Sequence, residues 1–324
     1  MKIVKPNAVL IDKDLHPYQK IEMIGRICYK SENMITEDSA AKFCKAMLNN
    51  RHLAMLEHAV IHVLMNEQSY SMFINGVKAH YQQSNCIAPF KYLSISPLEH
   101  CYVVTGSFRA FLELLEDLGI GHHEAGQELA DTLNLKYPEL FCGVANAYYY
   151  PSAGHTLDII SDDELISMCS DANILKHHIY HSIKFTCDTG VSHELVRQRP
   201  VSFAQESTRY CNYSKGKFGN EITVIEPVFY APDSPEYLLW QLGCEHDEAV
   251  YFELLKQGRT PQEARDNLPK SLKTDIVLTT YEYEWDHILD LRLRGTTGAP
   301  HPQMLEVMKI AHPLLVEESQ HRCA

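Results

Sequence analysis

The sequence predicts a mixed α+β fold in which helices dominate, and three observations predict it. Apolar residues recur at helical spacing in segments from residue 17 to beyond residue 315. Shorter runs that are continuously apolar or alternate read as strands between them: HAVIHVLM at 58–65, HSIKFTCD at 181–188 and EITVIEP at 221–227. No tandem repeat or low-complexity stretch points instead to a solenoid or a disordered tail. The 324 residues suffice for one elaborated domain or two smaller ones.

Taken in order, PYQKIEMIGRICYK (17–30) and TEDSAAKFCKAMLNN (36–50) carry apolar residues at helical spacing, and Thr36 followed by Glu37, Asp38 and Ser39 makes a helix start. The strand at 58–65 is followed by YSMFINGVKAHYQQ (70–83), which fits helix or strand. YVVTGSFRAFLELLEDLG (102–119) reads as a strand, a Gly-Ser turn and an amphipathic helix ended by Gly119. Residues 126–141 continue the helical character, and CGVANAYYYPSAG (142–154) is a Gly- and Pro-containing connection. DDELISMCSDANIL (162–175) reads as helix, HSIKFTCD as strand, and GVSHELVRQR (190–199) as a turn into a helix. After EITVIEP, residues 234–258 form a long helix closed by Gly258. Thr260 then caps a helix with Pro261 at its first position. HPQMLEVMKIAHPLLVEESQ (301–320) is helical, with Pro302 near its start and Pro313 inside or ending it. TGSFRAFLELL and TYEYEWDHILDLR faintly echo one another in a turn-then-helix pattern with aromatic and leucine positions, but no internal duplication is expected from it.

Composition narrows the function classes. A formal net charge of −13 argues against a broad nucleic-acid footprint, so a bound anion must be held by a local arginine cluster. The ten cysteines include no CxxC pair and are expected to be reduced, mostly buried thiols. No apolar run is long enough to span a bilayer, and MKIVKPNAVLIDKD lacks a signal-peptide core, so no membrane role and a cytoplasmic location are expected. Histidines cluster at His58/His62, His122/His123 and His177/His178/His181, but no HExxH or cysteine-containing ligand set completes them, and no metal is expected. His177 to His181 are expected to face solvent or cap backbone carbonyls. No Ser-His-Asp order, GxGxxG or P-loop is present.

RQRPVSFAQESTRYCNYSK (197–215) concentrates hydrogen-bonding groups. Arg197, Arg199 and Arg209 offer planar forks for phosphate or carboxylate, Ser202, Ser207 and Thr208 are short donors, and Glu206 can accept from sugar or base edges. Pro200 breaks any continuous helix, so these groups are expected on a loop between two helical pieces. On composition alone a solvated, salt-bridged turn fits equally well.

RQRPVSFAQESTRY resembles the signature of the flavin-dependent thymidylate synthases, RHRxxSxNExSxRY, with Arg197, Arg199, Ser202, Ser207, Arg209 and Tyr210 on the motif. GRICYKS (25–31), Leu56 to His58, GVSHELVR, YCNYSK, PQEARDNLP (261–269), WDHILDLR ending at Arg292, and HPQM (301–304) are similar to the family in the family's order. The resemblance implies one domain over 1–324 with the family's fold, helix-rich around an antiparallel sheet. Residues of about 66–170, which match least well, would be an insertion. It implies reductive methylation of dUMP to dTMP, with methylenetetrahydrofolate as carbon donor and NADPH-reduced FAD as hydride donor. A homotetramer with shared active sites is also implied.

Residue by residue, the resemblance assigns dUMP binding to Glu194, Gln205, Glu206, Ser207, Thr208, Arg209 and Arg265. Arg292 contacts and polarises the uracil, and His58, Arg197, Gln198, Arg199 and His287 contact FAD. Departures concentrate on the flavin side. Gln198 replaces the central histidine of the RHR triplet, Ala204 and Gln205 replace an Asn-Glu pair, Tyr281 and Tyr283 stand where the family commonly has an Asn-x-Arg segment, and Thr189 replaces an arginine. These leave a catalytically impaired or variant paralogue that binds a pyrimidine nucleotide as the alternative.

Overall fold

Val60–Asn66 has no exposed residue and Lys273–Tyr281 is buried almost end to end, and each is an inner strand of its own four-stranded sheet. In the computed structural model, which describes all residues except 12–13, 85–91, 119–123, 145–155 and 322–324, the chain divides into two units. The first comprises residues 1–13, 23–34 and 181–324, the second residues 14–22 and 35–180. The strands in chain order are β1 (Lys2–Val4), β2 (Asn7–Leu10), β3 (Val60–Asn66), β4 (Leu93–Pro97), β5 (Cys101–Ser107), β6 (Leu157–Ile160), β7 (Tyr180–Asp188), β8 (Ser202–Gln205), β9 (Thr223–Ile225) and β10 (Lys273–Tyr281). Together with the helices they make the α+β fold that the sequence predicts, with antiparallel pairing in both larger sheets.

The first unit holds the sheet β2-β7-β10-β8 and a parallel pair β1-β9. Leu10 pairs with Ile183, and Ile276 with Gln205. Ile183, Phe185, Ile276 and Leu278 pack with Trp285 and Ile288 of the helix Glu282–Leu289. Met304, Val307, Met308 and Ala311 of the helix Pro302–His321 complete this core. Pro313 lies inside that last helix. A satellite core gathers Cys211, Tyr213, Ile222, Val224 and Leu272 against Cys244 and Tyr251 of the helix Pro235–Lys256. The latter starts at the Ser234 cap, which accepts from the Tyr237 N–H, and is followed by Gly258 at φ +86.

The second unit holds the sheet β4-β5-β3-β6, antiparallel throughout, with Val63 opposite Val104 and Ile159. Its core joins Tyr18, Phe43, Leu56 and Phe73 to Phe108, Phe111, Leu115, Leu133 and Phe141. A polar chain, buried at His62, Thr105 and His178, crosses this sheet: Asp162 Oδ1 lies 2.8 Å from His62 Nε2, His62 Nδ1 2.7 Å from Thr105 Oγ1, Thr105 Oγ1 2.6 Å from His178 Nδ1, and His178 Nε2 2.9 Å from Ser96 Oγ. A carboxylate only accepts, so with both imidazoles neutral the chain would run one way, Ser96 donating to His178, His178 to Thr105, Thr105 to His62 and His62 to Asp162.

Both sheets follow one plan. A strand (β7 or β3) enters a helix capped by its last residue: Asp188 Oδ1 accepts from Val191 N at 2.8 Å, and Asn66 Oδ1 from Ser69 N at 2.8 Å. An edge strand follows (β8 or β4), then an inner strand (β10 or β5) that enters a second helix. Trp285, Ile288 and Leu289 occupy in one second helix the turn positions that Phe111, Leu114 and Leu115 occupy in the other, and all six are buried. The fourth strand is exchanged in sequence: β2 precedes the strands it joins, and β6 follows its own.

Several expectations are corrected. Residues 70–83, ambiguous by pattern, lie in the helix Glu67–Ser84. The helix expected to start at Thr36 begins at Ser39. The stretch 162–175 is two helices, Asp162–Met168, opened by a Ser161–Glu164 capping box, and Ala172–Leu175. The arginine stretch is not only a loop, since Ser202–Gln205 is strand β8. His178 and His181 do not face solvent. Both are buried, His178 in the polar chain and His181 against Glu282 at 2.9 Å. Cys28, Cys44, Cys101, Cys142, Cys169, Cys187, Cys211 and Cys244 are free thiols, of which Cys142 is exposed. Cys86, Cys323, Gly119, His122, His123 and the connection from residue 145 to 154 lie outside the described residues.

Candidate functional site

The predicted site residues of the first unit sit on short elements that end against the β7-β10-β8 sheet. The helix Thr189–Leu195 is held at its start by Asp188, whose other oxygen accepts from Gln303 Nε2 at 3.0 Å. Its last turn presents Glu194, and the chain then turns through Arg197, Gln198 and Arg199 into β8. Gln198 is buried, 5% exposed, between two exposed arginines. Arg199 Nη1 donates to the carbonyls of Val196 and Gln198 at 2.6 and 2.7 Å, and its guanidinium lies over the Phe203 ring.

Arg292 belongs to a π-helical turn, Asp290–Arg294, that follows the helix Glu282–Leu289 and closes at Gly295 in the left-handed conformation. Its Nη1 donates to Glu194 Oε2 at 3.1 Å. With the Gln198 amide oxygen turned toward it, the orientation that satisfies both amide groups, that oxygen accepts from Arg292 Nε at 3.1 Å and Nη2 at 3.3 Å. The Arg292 side chain remains 22% exposed.

The turn after β8 is anchored by its backbone. Glu206 N donates to Asp275 O at 2.8 Å, Ser207 N to Cys28 O at 3.0 Å, and Cys211 N back to Ser207 O at 2.9 Å. Thr208 Oγ1 accepts from Arg265 Nη1 at 3.4 Å, which brings the arginine after the Thr260 capping box to this turn. Arg209 lies over the ring of Tyr210, which meets Tyr29 edge-on at 5.5 Å. Arg197, Arg209 and Arg265 are exposed.

Beneath the turn lies a buried ion cluster. Glu206 Oε2 takes Lys30 Nζ at 3.3 Å and Lys273 Nζ at 2.9 Å, and Lys273 also reaches Asp275 Oδ2 at 2.7 Å. Lys30 pairs with Asp275 as well, and Thr186 Oγ1 donates to Asp275 Oδ1 at 2.6 Å. Burial works against the Asp275 carboxylate, yet Lys273 and Lys30 hold its pKa well below the usual carboxylate range. Burial also works against the Lys30 ammonium, and Glu206 and Asp275 raise its pKa nonetheless. The Glu206 side chain is only 3% exposed, so its carboxylate supports the turn from below. Gln205 likewise points inward, donating to Ser192 Oγ at 3.0 Å and Thr274 Oγ1 at 3.2 Å.

The structure thus gathers Glu194, Gln198 and Arg292 at one point and Thr208 with Arg265 at another. His287 is exposed on its helix. His58 belongs to the second unit, where it is buried. Lys30, Lys273, Asp275 and Tyr29 are missed by sequence reasoning. The available signals are weak: Lys30 lies in GRICYKS, and Lys273 and Asp275 lie two apart on one face of a strand. Among the described residues no group of three or more His, Cys, Asp or Glu could hold a metal, and no helix is long and apolar enough to cross a membrane.

Residues 163–314 match the family model described as thymidylate synthase complementing protein, a range that contains every predicted site residue except His58. This part of the chain is homologous to the flavin-dependent thymidylate synthases. Among them, the enzyme of Pyrococcus abyssi is 31% identical over 121 residues, 37% of this chain and 49% of that protein. That of Saccharolobus solfataricus is 27% identical over 176 residues, 51% of this chain and 65% of that protein. The chain spans about half the length of the first of these relatives. A solved structure of the UMP/dUMP methylase PolB from Streptomyces cacaoi bound with 5-Br dUMP covers 98% of this chain and 93% of its own, at 12% identity and a TM-score of 0.39, too low to equate the folds.

Proposed function

We propose that the protein is a flavin-dependent thymidylate synthase, carrying out reductive methylation of dUMP to dTMP. Methylenetetrahydrofolate is the carbon donor and NADPH-reduced FAD the hydride donor. The observation that carries this reading is the arrangement of three arginines in the homologous segment. Arg209 and Arg265 stand exposed at the Ser207–Thr208 turn, where a 5′-phosphate would accept from both, and Arg292 is held by Glu194 and Gln198 with part of its guanidinium exposed. Arg292 has five N–H donors. Gln198 takes two and Glu194 one, which leaves donors for a pyrimidine carbonyl on which negative charge develops.

The residues present fit an anionic dinucleotide, since the exposed Arg197 and Arg199 bracket Gln198 and can meet a pyrophosphate. When bound, FAD supplies the hydride. The protein's own part is binding, orientation and charge: the arginines fix the nucleotide at its phosphate and its base, and the turn that carries two of these contacts is braced by Glu206. His58 and His287 are read as further flavin contacts. Residues 66–170 are read as an insertion relative to this nucleotide-binding unit. Assembly into a homotetramer with shared sites belongs to the same reading, and Leu238, Leu239 and Leu242, exposed on the helix Pro235–Lys256, offer an apolar face for contact between subunits. A cytoplasmic location agrees with the small-molecule substrates.

Purified protein is expected to be yellow and to form dTMP from dUMP, methylenetetrahydrofolate and NADPH. The second reading, a variant or impaired paralogue that binds a pyrimidine nucleotide, is favoured by one observation: the residue at the centre of the arginine triplet is buried against Arg292. Colourless protein that binds dUMP and ignores added FAD would establish that second reading in place of the first.

A further inference from the structure

We propose that Gln198 is a positioning residue for Arg292, a neutral acceptor that, with Glu194, fixes the plane of the guanidinium. The inference rests on the reading of Arg292 as the group that meets the pyrimidine. Its basis is geometric. Gln198 is 5% exposed and lies between two exposed arginines, an unusual burial for a polar side chain in so basic a turn. Its oxygen meets Arg292 Nε and Nη2 at 3.1 and 3.3 Å, the two donors on one edge of the guanidinium, while Glu194 meets Nη1 at 3.1 Å on the other terminal nitrogen. Arginine side chains carry about 2 kcal/mol of rotamer freedom. Two acceptors on different edges remove that freedom before a ligand arrives, and this is what preorganisation requires.

The chemistry explains why an amide serves here. A carbonyl oxygen has two lone pairs and accepts both N–H groups of the fork, whereas a neutral imidazole offers one acceptor nitrogen. An imidazole also loses that acceptor when protonated near its ordinary pKa of about 6.5. A carboxylate would accept both but would add a second negative charge to that of Glu194. Glutamine keeps the guanidinium fixed and leaves its positive charge only partly neutralised.

The test uses Gln198→Leu, Gln198→Glu and Gln198→His in the full chain. It has two readouts: solvent exchange of the Arg292 Nε–H resonance, assigned by its absence in Arg292→Lys, and dUMP affinity by calorimetry. In the native protein the Nε–H should exchange slowly. Gln198→Leu should abolish that protection and weaken dUMP at least tenfold, and Gln198→Glu should keep the protection while weakening dUMP through its added negative charge. Gln198→His should weaken progressively as pH falls from 8 to 5.5 while the native protein does not. Equal protection of the Arg292 Nε–H in Gln198→Leu and the native protein would overturn the proposal. If the protection follows the acceptor but the native protein does not bind dUMP, the positioning role stands and the nucleotide reading falls.

Discussion

Lys30 illustrates how a residue outside a signature motif can govern it. Its ammonium joins Glu206 and Asp275 beneath the turn that holds Ser207, Thr208 and Arg209, and its side chain is 18% exposed. Removing one partner from a buried ion cluster leaves charge uncompensated and typically costs 3–5 kcal/mol. The partial exposure and the second ammonium of Lys273 place Lys30→Met at the low end. We expect a loss of about 3 kcal/mol in the urea unfolding of the first unit. Lys30→Arg, which keeps the charge, should lose less, and equal stability of Lys30→Met and native protein would show that the cluster contributes nothing. At this scale the arginines were legible, because their types and spacing match a known signature. The cluster was not, because its four members come from three separate stretches of chain: residue 30, residue 206, and residues 273 and 275. Gln198 stood out as a departure from the motif, but its contact with Arg292 spans 94 residues and has no local signal.

The helix Thr189–Leu195 is the element on which the site depends most directly, since its last turn carries Glu194 and its end feeds the arginine triplet. Seven residues are too few for a stable helix alone, so caps and packing decide whether it forms. Asp188 caps it through Val191 and also accepts from Gln303. Asp188→Ala is therefore expected to cost about 2 kcal/mol, at the upper end for a cap because a second bond is lost. If Arg292 depends on the position of Glu194, the same substitution should also weaken dUMP binding, and calorimetry alongside urea titration separates the two effects. Helices with strong caps and amphipathic faces were readable from sequence, among them 108–118, 235–256 and 302–321. Strand β10 has no such signal. Buried on both faces, it lacks the alternation that marks a half-exposed strand, and its Thr-rich, charged ends resemble a loop.

At the scale of the whole molecule, the same strand order occurs twice, and the arginines of the candidate site lie on one copy. Between β4 and β5 the chain makes a tight turn closed by Leu98 N to Cys101 O at 2.7 Å. Between β8 and β10 the equivalent connection runs from residue 206 to 272 and carries Glu206, Ser207, Thr208, Arg209 and Arg265. The echo of TGSFRAFLELL in TYEYEWDHILDLR is too faint to predict a repeated plan, contrary to what the two sheets show, and periodicity carries no information on strand partners. The second copy has instead the polar chain through His178, and this gives the molecule a dependence on pH. Burial, with smaller contributions from His62 and His177, lowers the His178 pKa to about 4 from an ordinary value of 6.5. The unfolded chain therefore takes up the proton first, and stability is full above pH 6.5 and falls between pH 6.5 and about 4. The expected loss is about 3 kcal/mol, measured by urea unfolding across that range, and His178→Asn should flatten it. The exchange of fourth strands also acts in time. Leu10 must wait for Ile183 before its strand has a partner, whereas β6 completes its sheet as soon as it is made. At about 5–20 residues per second that wait is on the order of ten to thirty seconds on the ribosome. The strand synthesised among the first is thus among the last to be seated, and the unit that carries the candidate site can close only after most of the other has been synthesised.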